Sequence, residues 1–539
     1  MKHLKNTLLG ILFTLLLVIT TLSTWIYSQI DSALPQLDGK RTLYGLSTSA
    51  TVERDKQGVV TIKASNRIDV ALATGFVHAQ ERFFQMDLLR RNSAGELASL
   101  FGAAAIAYDS DIRRHRFRER AAAIVAQLSA TDFDLLKAYT RGVNQGLKYL
   151  KAPPFEYLLL RQAPVEWQEE DTILTVLSMY IDLQYQDGKR ERTLGLLHSV
   201  LSPEVFAFLN PKGSRWDAAI DGTEFSASPL PKAPWPSASS EGMASLLEFQ
   251  AEKTPLAIAK PAIMTRSKSP QNEEFPGSNN WAIAGEISQT GSAIIANDMH
   301  LGIRVPNTWF RASFEYLALD NTAVKVTGAT LPGTPNIIIG SNGHIAWGFT
   351  NSYGDWSDVI VLETNADKSQ YLTPDGYQSF IKHKQIIAVK GQDAVNITLT
   401  DTIWGPVIGE NAQGHLLAYR WIAHDKTAVN MAMTEFETAT NVEQAFTIAA
   451  RAGIPAQNLM VGDKQGNIGW TIIGPIPQRS ATFGATPTSW ANGEHRWLGL
   501  LPAEQYPKVI NPKNSRLWTA NSRVIGGEML NHIGNGGYA

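Results

Sequence analysis

The spacing of apolar residues changes several times along this chain, and each change marks a boundary. An uncharged apolar run extends from Leu8 to Tyr27, preceded by Lys2, His3 and Lys5, and the first acidic residue is Asp31. At 1.5 Å per residue such a run makes about 30 Å of helix, the hydrocarbon thickness of a bilayer. Basic residues before it place that end in the cytoplasm and the rest of the chain outside. Residues 1–30 therefore read as a signal peptide or a membrane anchor through residues 8–27. The length of the run, with no clean Ala-x-Ala near Trp25 to Gln29, favours the anchor.

From Leu43 to Lys63 the pattern is strand-like, with a turn at Asp55-Lys56-Gln57-Gly58. Ile68 to Leu100, then 116–128, 131–151 and 170–200, place apolar residues at three- and four-residue steps, the period of helices. Residues 31–220 thus form a mostly helical segment. Eight prolines fall between Ser228 and Pro276, with Ser-Ala-Ser-Ser at 237–240 and a polar stretch at 266–274. Proline breaks helix and sheet interiors, so 221–277 reads as an exposed spacer whose length signals function or removal.

Beyond Gly277 short strands dominate. They begin at Trp281, Ala293, Val324, Ile337, Ile360, Ile386, Ile397, Leu416 and Leu459, with Gly, Asn or Pro turns between. Residues 278–539 form a sheet-rich segment, and the whole is of the α+β class.

Composition narrows the chemistry. The chain has 539 residues, 44% hydrophobic and 18% charged, with a net charge of −2, so it lacks the basic footprint of a nucleic-acid binder. The chain contains no cysteine, which excludes disulfides, thiolate catalysis and zinc–sulfur sites. It also has no Gly-x-Ser-x-Gly elbow, Walker A loop or His-Glu-x-x-His. A nucleophile must be presented in another way.

Pro276-Gly277-Ser278-Asn279-Asn280-Trp281 stands where the spacer stops and the strands begin. If the Gly277–Ser278 bond is broken, Ser278 gains an α-amine with an ordinary pKa of about 7.7–8.0, enough to take its own hydroxyl proton near neutral pH. A glycine before it suits strained backbone angles that would promote attack by the serine on the preceding carbonyl.

Five stretches together resemble the penicillin acylase family of N-terminal nucleophile hydrolases: Gly277-Ser278-Asn279-Asn280-Trp281, Asn297-Asp298-Met299-His300-Leu301-Gly302, Gly340-Ser341-Asn342-Gly343-His344-Ile345-Ala346-Trp347-Gly348-Phe349-Thr350-Asn351, and in the helical half Ala79 to Asp87 and Arg90 to Ala98. The resemblance covers residues 40 to 539. It implies an αββα sandwich of two mainly antiparallel sheets flanked by helices, and maturation to an α/β heterodimer by cleavage at Gly277–Ser278. It also implies hydrolysis of a linear amide bond in a small acyl amide, such as an acyl-homoserine lactone or a β-lactam side chain, in the periplasm. No organic cofactor is implied.

Roles follow from the same resemblance. Ser278 is the nucleophile and base. Asn351 supplies a backbone donor to the oxyanion and Asn458 a side-chain donor, where each such donor is worth about 10²–10³ in rate. His300 contacts the new amine, and histidine here tilts the substrate away from penicillin G. Arg479 is the supporting arginine. Asp355, Ser357, Asp358 and Pro406 match a calcium loop suited to a hard cation. The glutamate expected from the helical half falls near Lys189-Arg190-Glu191-Arg192, with Glu191 out of register. Family β chains run beyond Ala539, so strands and helices completing the sandwich are expected to be missing. A different class, an inactive or unprocessed membrane-tethered binding protein of the same fold, would leave the chain uncut.

Overall fold

The computed structural model describes residues 2–185, 187–232, 235, 277–302, 304–480 and 484–534. Most of the proline-rich spacer lies outside these residues.

The helical half is built on the Arg67–Ala94 helix. Asn66 caps its start by accepting the Asp69 N–H at 2.9 Å, and Gly95 ends it in a left-handed conformation with φ 64°. The helix therefore stops before the expected Leu100. Ala130–Tyr149 packs along it. The backbones come so close that a Cβ on Gly142 would stand 1.9 Å from Leu72 O, so only glycine fits that crossing. The period expected to run unbroken from 170 to 200 divides into Glu169–Gln184 and Lys189–Val200. Asp187 and Gly188, both at positive φ, turn the chain between them.

A nine-stranded sheet forms the centre. Its order is Thr51–Arg54, Val60–Lys63, Phe310–Leu317, Ala323–Thr330, Ile337–Ser341, Ile345–Asn351, Gln457–Asp463, Ile468–Ile473 and Lys508–Ile510. Of the 43–63 stretch expected as strand, only the first two of these elements form. Asp55 Oδ1 accepts the N–H groups of Gln57 and Val59 in the turn between them. Val60–Lys63 lies parallel to Phe310–Leu317, so the sheet is shared by chain on both sides of the spacer. All nine strands read from the sequence after Gly277 are present.

The faces of the large sheet differ. Leu459 and Val461 point to a core with Val70, Val77, Ala445 and Ile448 of the helices. Met460 and Trp470 belong to a core with Ala282 and Leu517. The latter two come from a small sheet ordered Arg516–Thr519, Gly277–Ile283, Ile294–His300. Helices, large sheet and small sheet thus stack in the order expected of an αββα sandwich. The outer face of the small sheet, with Trp281, Ile294 and Trp518, is exposed among the described residues.

Candidate active site

Ser278 is buried as the second residue of the central strand of the small sheet. The register of that sheet decides what surrounds it. On one side Gly277 pairs with His300 and Ser278 with Met299. On the other, Asn280 pairs with Thr519, the last strand residue, so the chain two positions later comes alongside Ser278. Asn521 arrives there. Its Oδ1 accepts the Ser278 backbone N–H at 2.6 Å, and its Nδ2 donates to Ser278 Oγ at 3.3 Å.

A second donor comes from the large sheet. Asn351 closes the Ile345–Asn351 strand, and its backbone N–H donates to Ser278 Oγ at 3.1 Å. Its side chain is fixed on both sides: Nδ2 donates to Leu183 O at 3.1 Å, and Oδ1 accepts from Gln457 Nε2 at 3.1 Å. Asn521 Nδ2 also reaches Asn351 O at 3.3 Å, tying the two donors together. Two N–H groups, from Asn351 and Asn521, thus converge at one hydroxyl.

Asn458 bonds to the strand beside the serine rather than to Ser278 itself. Its Nδ2 donates to Thr350 Oγ1 at 3.1 Å and Asn351 O at 3.3 Å, and its Oδ1 accepts from Trp470 Nε1 at 3.1 Å. The amide is spent inside the sandwich, opposite Thr350 in the strand register, and Asn521 stands at the serine instead. Neither periodicity nor local composition marks Asn521; only the pairing of Arg516–Thr519 with the serine strand does.

Gly277 has no positive φ, so the strained backbone expected there is not the reason for a glycine. Space is. A Cβ at Gly277 would lie 2.7 Å from His300 Nε2 and 2.8 Å from Asn521 Oδ1. The same distances place the His300 imidazole beside the Gly277–Ser278 bond. Its Nδ1 lies 3.4 Å from Asp298 Oδ2.

An apolar cavity of about 710 Å³, including its mouth, opens from Ser278 and Asn351. Met179 and Leu183 of the Glu169–Gln184 helix form one wall, so the helical half contributes to it. Met299, Trp309, Phe349 and Met433 are among the other residues that line it.

Arg479 is not at the serine either. Its guanidinium lies among the predicted calcium residues: Nη2 is 3.2 Å from Asp355 Oδ1 and 2.9 Å from Asp358 Oδ2, and it donates to Asp355 O at 3.1 Å and Ser357 O at 3.4 Å. Trp497 Nε1 donates to Asp358 Oδ2 at 2.5 Å. Glu191, expected out of register, belongs to this group: it is buried, and its Oε2 accepts the Val359 N–H at 2.8 Å. Burial, then the charges of Asp358 and Asp355, push the Glu191 carboxyl well above the usual carboxylate range. Burial raises Asp355 to about 7 against the pull of Arg479, and raises Asp358 as well.

The donors fit a hard cation in type. They are all oxygens, and Glu191 Oε1 and Asp358 Oδ1 are buried with no hydrogen-bond partner. Ser357 O and Pro406 O already accept from Arg479 Nη2 and the Tyr419 N–H. Among the described residues no three carboxylate or histidine side chains are arranged to hold a metal ion, and Arg479 lies against both aspartates as their counter-charge.

Comparison with known proteins gives the family. The penicillin amidase family model matches residues 49–539. The penicillin acylase 2 proenzyme of Pseudomonas sp. (strain SE83) is 30% identical over 503 residues, covering 92% of this chain and 61% of its own length. The acyl-homoserine lactone acylase QuiP of Pseudomonas aeruginosa is 26% identical over 544 residues (95% and 59%), and the penicillin G acylase of Escherichia coli is 26% identical over 518 (88% and 59%). The chain therefore spans about three-fifths of the length of these relatives. A solved thermostable penicillin G acylase from Alcaligenes faecalis superposes with a TM-score of 0.42 and 24% identity, over 48% of this chain and 46% of that one. With its match running from residue 49 to residue 539, this chain belongs to the penicillin amidase family.

Proposed function

We propose that this chain is the precursor of an exported hydrolase of acyl amides, which cleaves itself before Ser278 and then uses that residue as nucleophile and base. The observation that carries the reading is the convergence of the Asn351 N–H and the Asn521 amide on Ser278 Oγ.

In processing, Ser278 Oγ adds to the Gly277 carbonyl carbon. The peptide C–N bond breaks as the departing amine takes a proton, and water hydrolyses the resulting ester. The products are a Gly277 carboxylate and a free Ser278 amine, with Asn521 Oδ1 already placed to accept from that nitrogen and His300 beside it. In turnover, the neutral amine takes the hydroxyl proton, directly or through one water, and Oγ attacks the substrate carbonyl. Asn351 N–H and Asn521 Nδ2 hold the oxyanion, the substrate amine leaves, and water releases the acyl group from Oγ. The apolar cavity receives the acyl part, consistent with the substrates that the relatives' names describe.

The Lys2–Ser32 helix has mean hydropathy 2.1 over its most apolar window, with none of that window buried, which supports a membrane-crossing or export segment. Calcium at Glu191, Asp355 and Asp358, with the carbonyls of Ser357 and Pro406, would supply structural charge neutralisation between the helical and sheet-rich halves. The unpartnered carboxylate oxygens support it.

Mass spectrometry of the protein at its natural length tests the central claim. Two chains are expected, the second beginning at Ser278, and Ser278→Ala should give one chain with no turnover of an acyl-amide panel. An uncut wild-type chain that still hydrolyses an acyl amide would overturn the proposal, and an uncut, inactive chain would favour the binding-protein reading.

A further inference from the structure

Where the Lys2–Ser32 helix meets the body, a second group of apolar side chains is exposed. The helix is joined there by its last residue: Ser32 O accepts the Ala152 N–H at 3.1 Å, and four residues on the Gln36 N–H donates to Gln80 Oε1 at 3.2 Å. Leu34 and Leu37 follow immediately, both exposed. Tyr44 is tied to the same region by its N–H, which donates to Gln145 Oε1 at 2.7 Å, and Tyr149 by its hydroxyl, which donates to Thr42 O at 2.7 Å. Three residues past Ala152 the short Phe155–Leu160 helix begins. Phe155 and Leu159, four apart, share its outer side, while Tyr157 between them is buried. Tyr44 and Leu159 are 79% and 75% exposed, with the Arg141 guanidinium 5.3 Å from the centre of the Tyr44 ring.

Single exposed apolar residues are ordinary, but a cluster with two tyrosines at the root of an apolar helix is not. We propose that this surface rests in the interfacial layer of the bilayer that the Lys2–Ser32 helix enters, an inference that rests on the membrane-crossing reading of that helix. Continuity argues for lipid as the occupant: the helix is exposed along its length and hydrogen-bonded to the body within this cluster. Aromatic and aliphatic side chains beside a membrane span are suited to the headgroup boundary. The charges in the two segments are mixed, with Lys40, Arg41, Lys148, Lys151 and Arg161 against Asp31, Asp38 and Glu156. This basic excess, to which Arg141 over the Tyr44 ring adds, would also favour anionic headgroups, and apolar contact is the share that salt leaves unchanged. The consequence is an enzyme body held flat against the membrane rather than swinging on a tether.

The absence of cysteine makes a direct test simple. Full-length protein carrying Leu16→Cys, Tyr44→Cys, Leu159→Cys or Leu498→Cys is labelled with a small fluorophore and reconstituted in phosphatidylcholine vesicles, with and without lipids bearing a nitroxide near the headgroup end of the acyl chain. Leu498 is an exposed residue of the Trp497–Leu500 strand in the sheet-rich half and serves as the reference. At least twofold quenching is expected at Leu16, Tyr44 and Leu159, unchanged by high salt, with none at Leu498. Quenching at Leu16 alone would overturn the surface while leaving the helix in the membrane. No quenching at any position would overturn both. Because Tyr44 and Leu159 are exposed, neither substitution threatens the fold.

Discussion

Asn521 Oδ1 accepts the Ser278 N–H at 2.6 Å across 243 positions of sequence. The same amide donates to the Ser278 hydroxyl, so one side chain holds both atoms that the proposed chemistry requires of that serine.

Asn521→Ala should therefore lower kcat of the processed enzyme by about 10²–10³, the usual loss for one oxyanion donor. Asn458→Leu should act differently. It leaves Trp470 Nε1 without a buried partner, costing about 1–3 kcal/mol of stability, while Thr350 Oγ1 keeps its bond to Thr519 Oγ1. Steady-state kinetics beside chemical denaturation separates the two, and equal losses of kcat would restore the role first expected of Asn458.

Gly277→Ala puts a methyl 2.7 Å from His300 Nε2 and 2.8 Å from Asn521 Oδ1. Cleavage before Ser278 should slow at least tenfold, followed by the appearance of the two chains on a denaturing gel. Combining it with His300→Ala should recover part of the rate if crowding is the cause.

Arg479→Ala removes a buried cation from between two aspartates and should destabilise the fold by about 3–5 kcal/mol. Turnover by the protein that remains folded should stay within a few-fold of wild type. A thermal melt with kinetics normalised to folded enzyme checks this, and a hundredfold loss of kcat with little change in Tm would return Arg479 to the catalytic centre.

The carboxylates around Arg479 also set a pH dependence. Asp355 is raised to about 7 in the folded protein by burial, against an ordinary carboxylate value near 3.8. A raised folded pKa means the folded state binds more protons, so this contribution is complete below the unfolded pKa and is lost as pH rises through about 7. In chelator, Tm should fall as pH is raised across that window. Added calcium should suppress the fall, and Glu191→Gln should weaken the calcium effect.

Each methylene buried in the cavity beside Ser278 adds about 0.8 kcal/mol, close to a fourfold gain in kcat/KM per carbon until the cavity is full. Straight-chain acyl amides of increasing length should show that slope, and Met433→Trp should shift the optimum to shorter chains.

The sequence made several of these elements legible and hid others for physical reasons. An apolar run such as Leu459-Met-Val announces a strand because it is buried on both faces, and all nine runs are strands. Arg516–Thr519 carries no such run: Leu517 faces the core while Trp518 is exposed. The strand that delivers Asn521 was therefore not visible. Glu191 looked out of register because the stretch Lys189-Arg190-Glu191-Arg192 is mostly basic, yet after the Asp187–Gly188 turn its carboxylate accepts the Val359 N–H. Ser278, His300 and Asn351 were identified by motifs, and the structure brings all three to the Gly277–Ser278 bond.

Val60–Lys63, from before the spacer, lies in parallel register with Phe310–Leu317, from after it. Severing the polypeptide at Ser278 would consequently free an end without releasing a partner: the two products stay woven into a single β-layer. Besides that ladder, Val60, Val70 and Val77 share a core with Phe314 and Leu459, so apolar packing as well as hydrogen bonding would keep the pieces together.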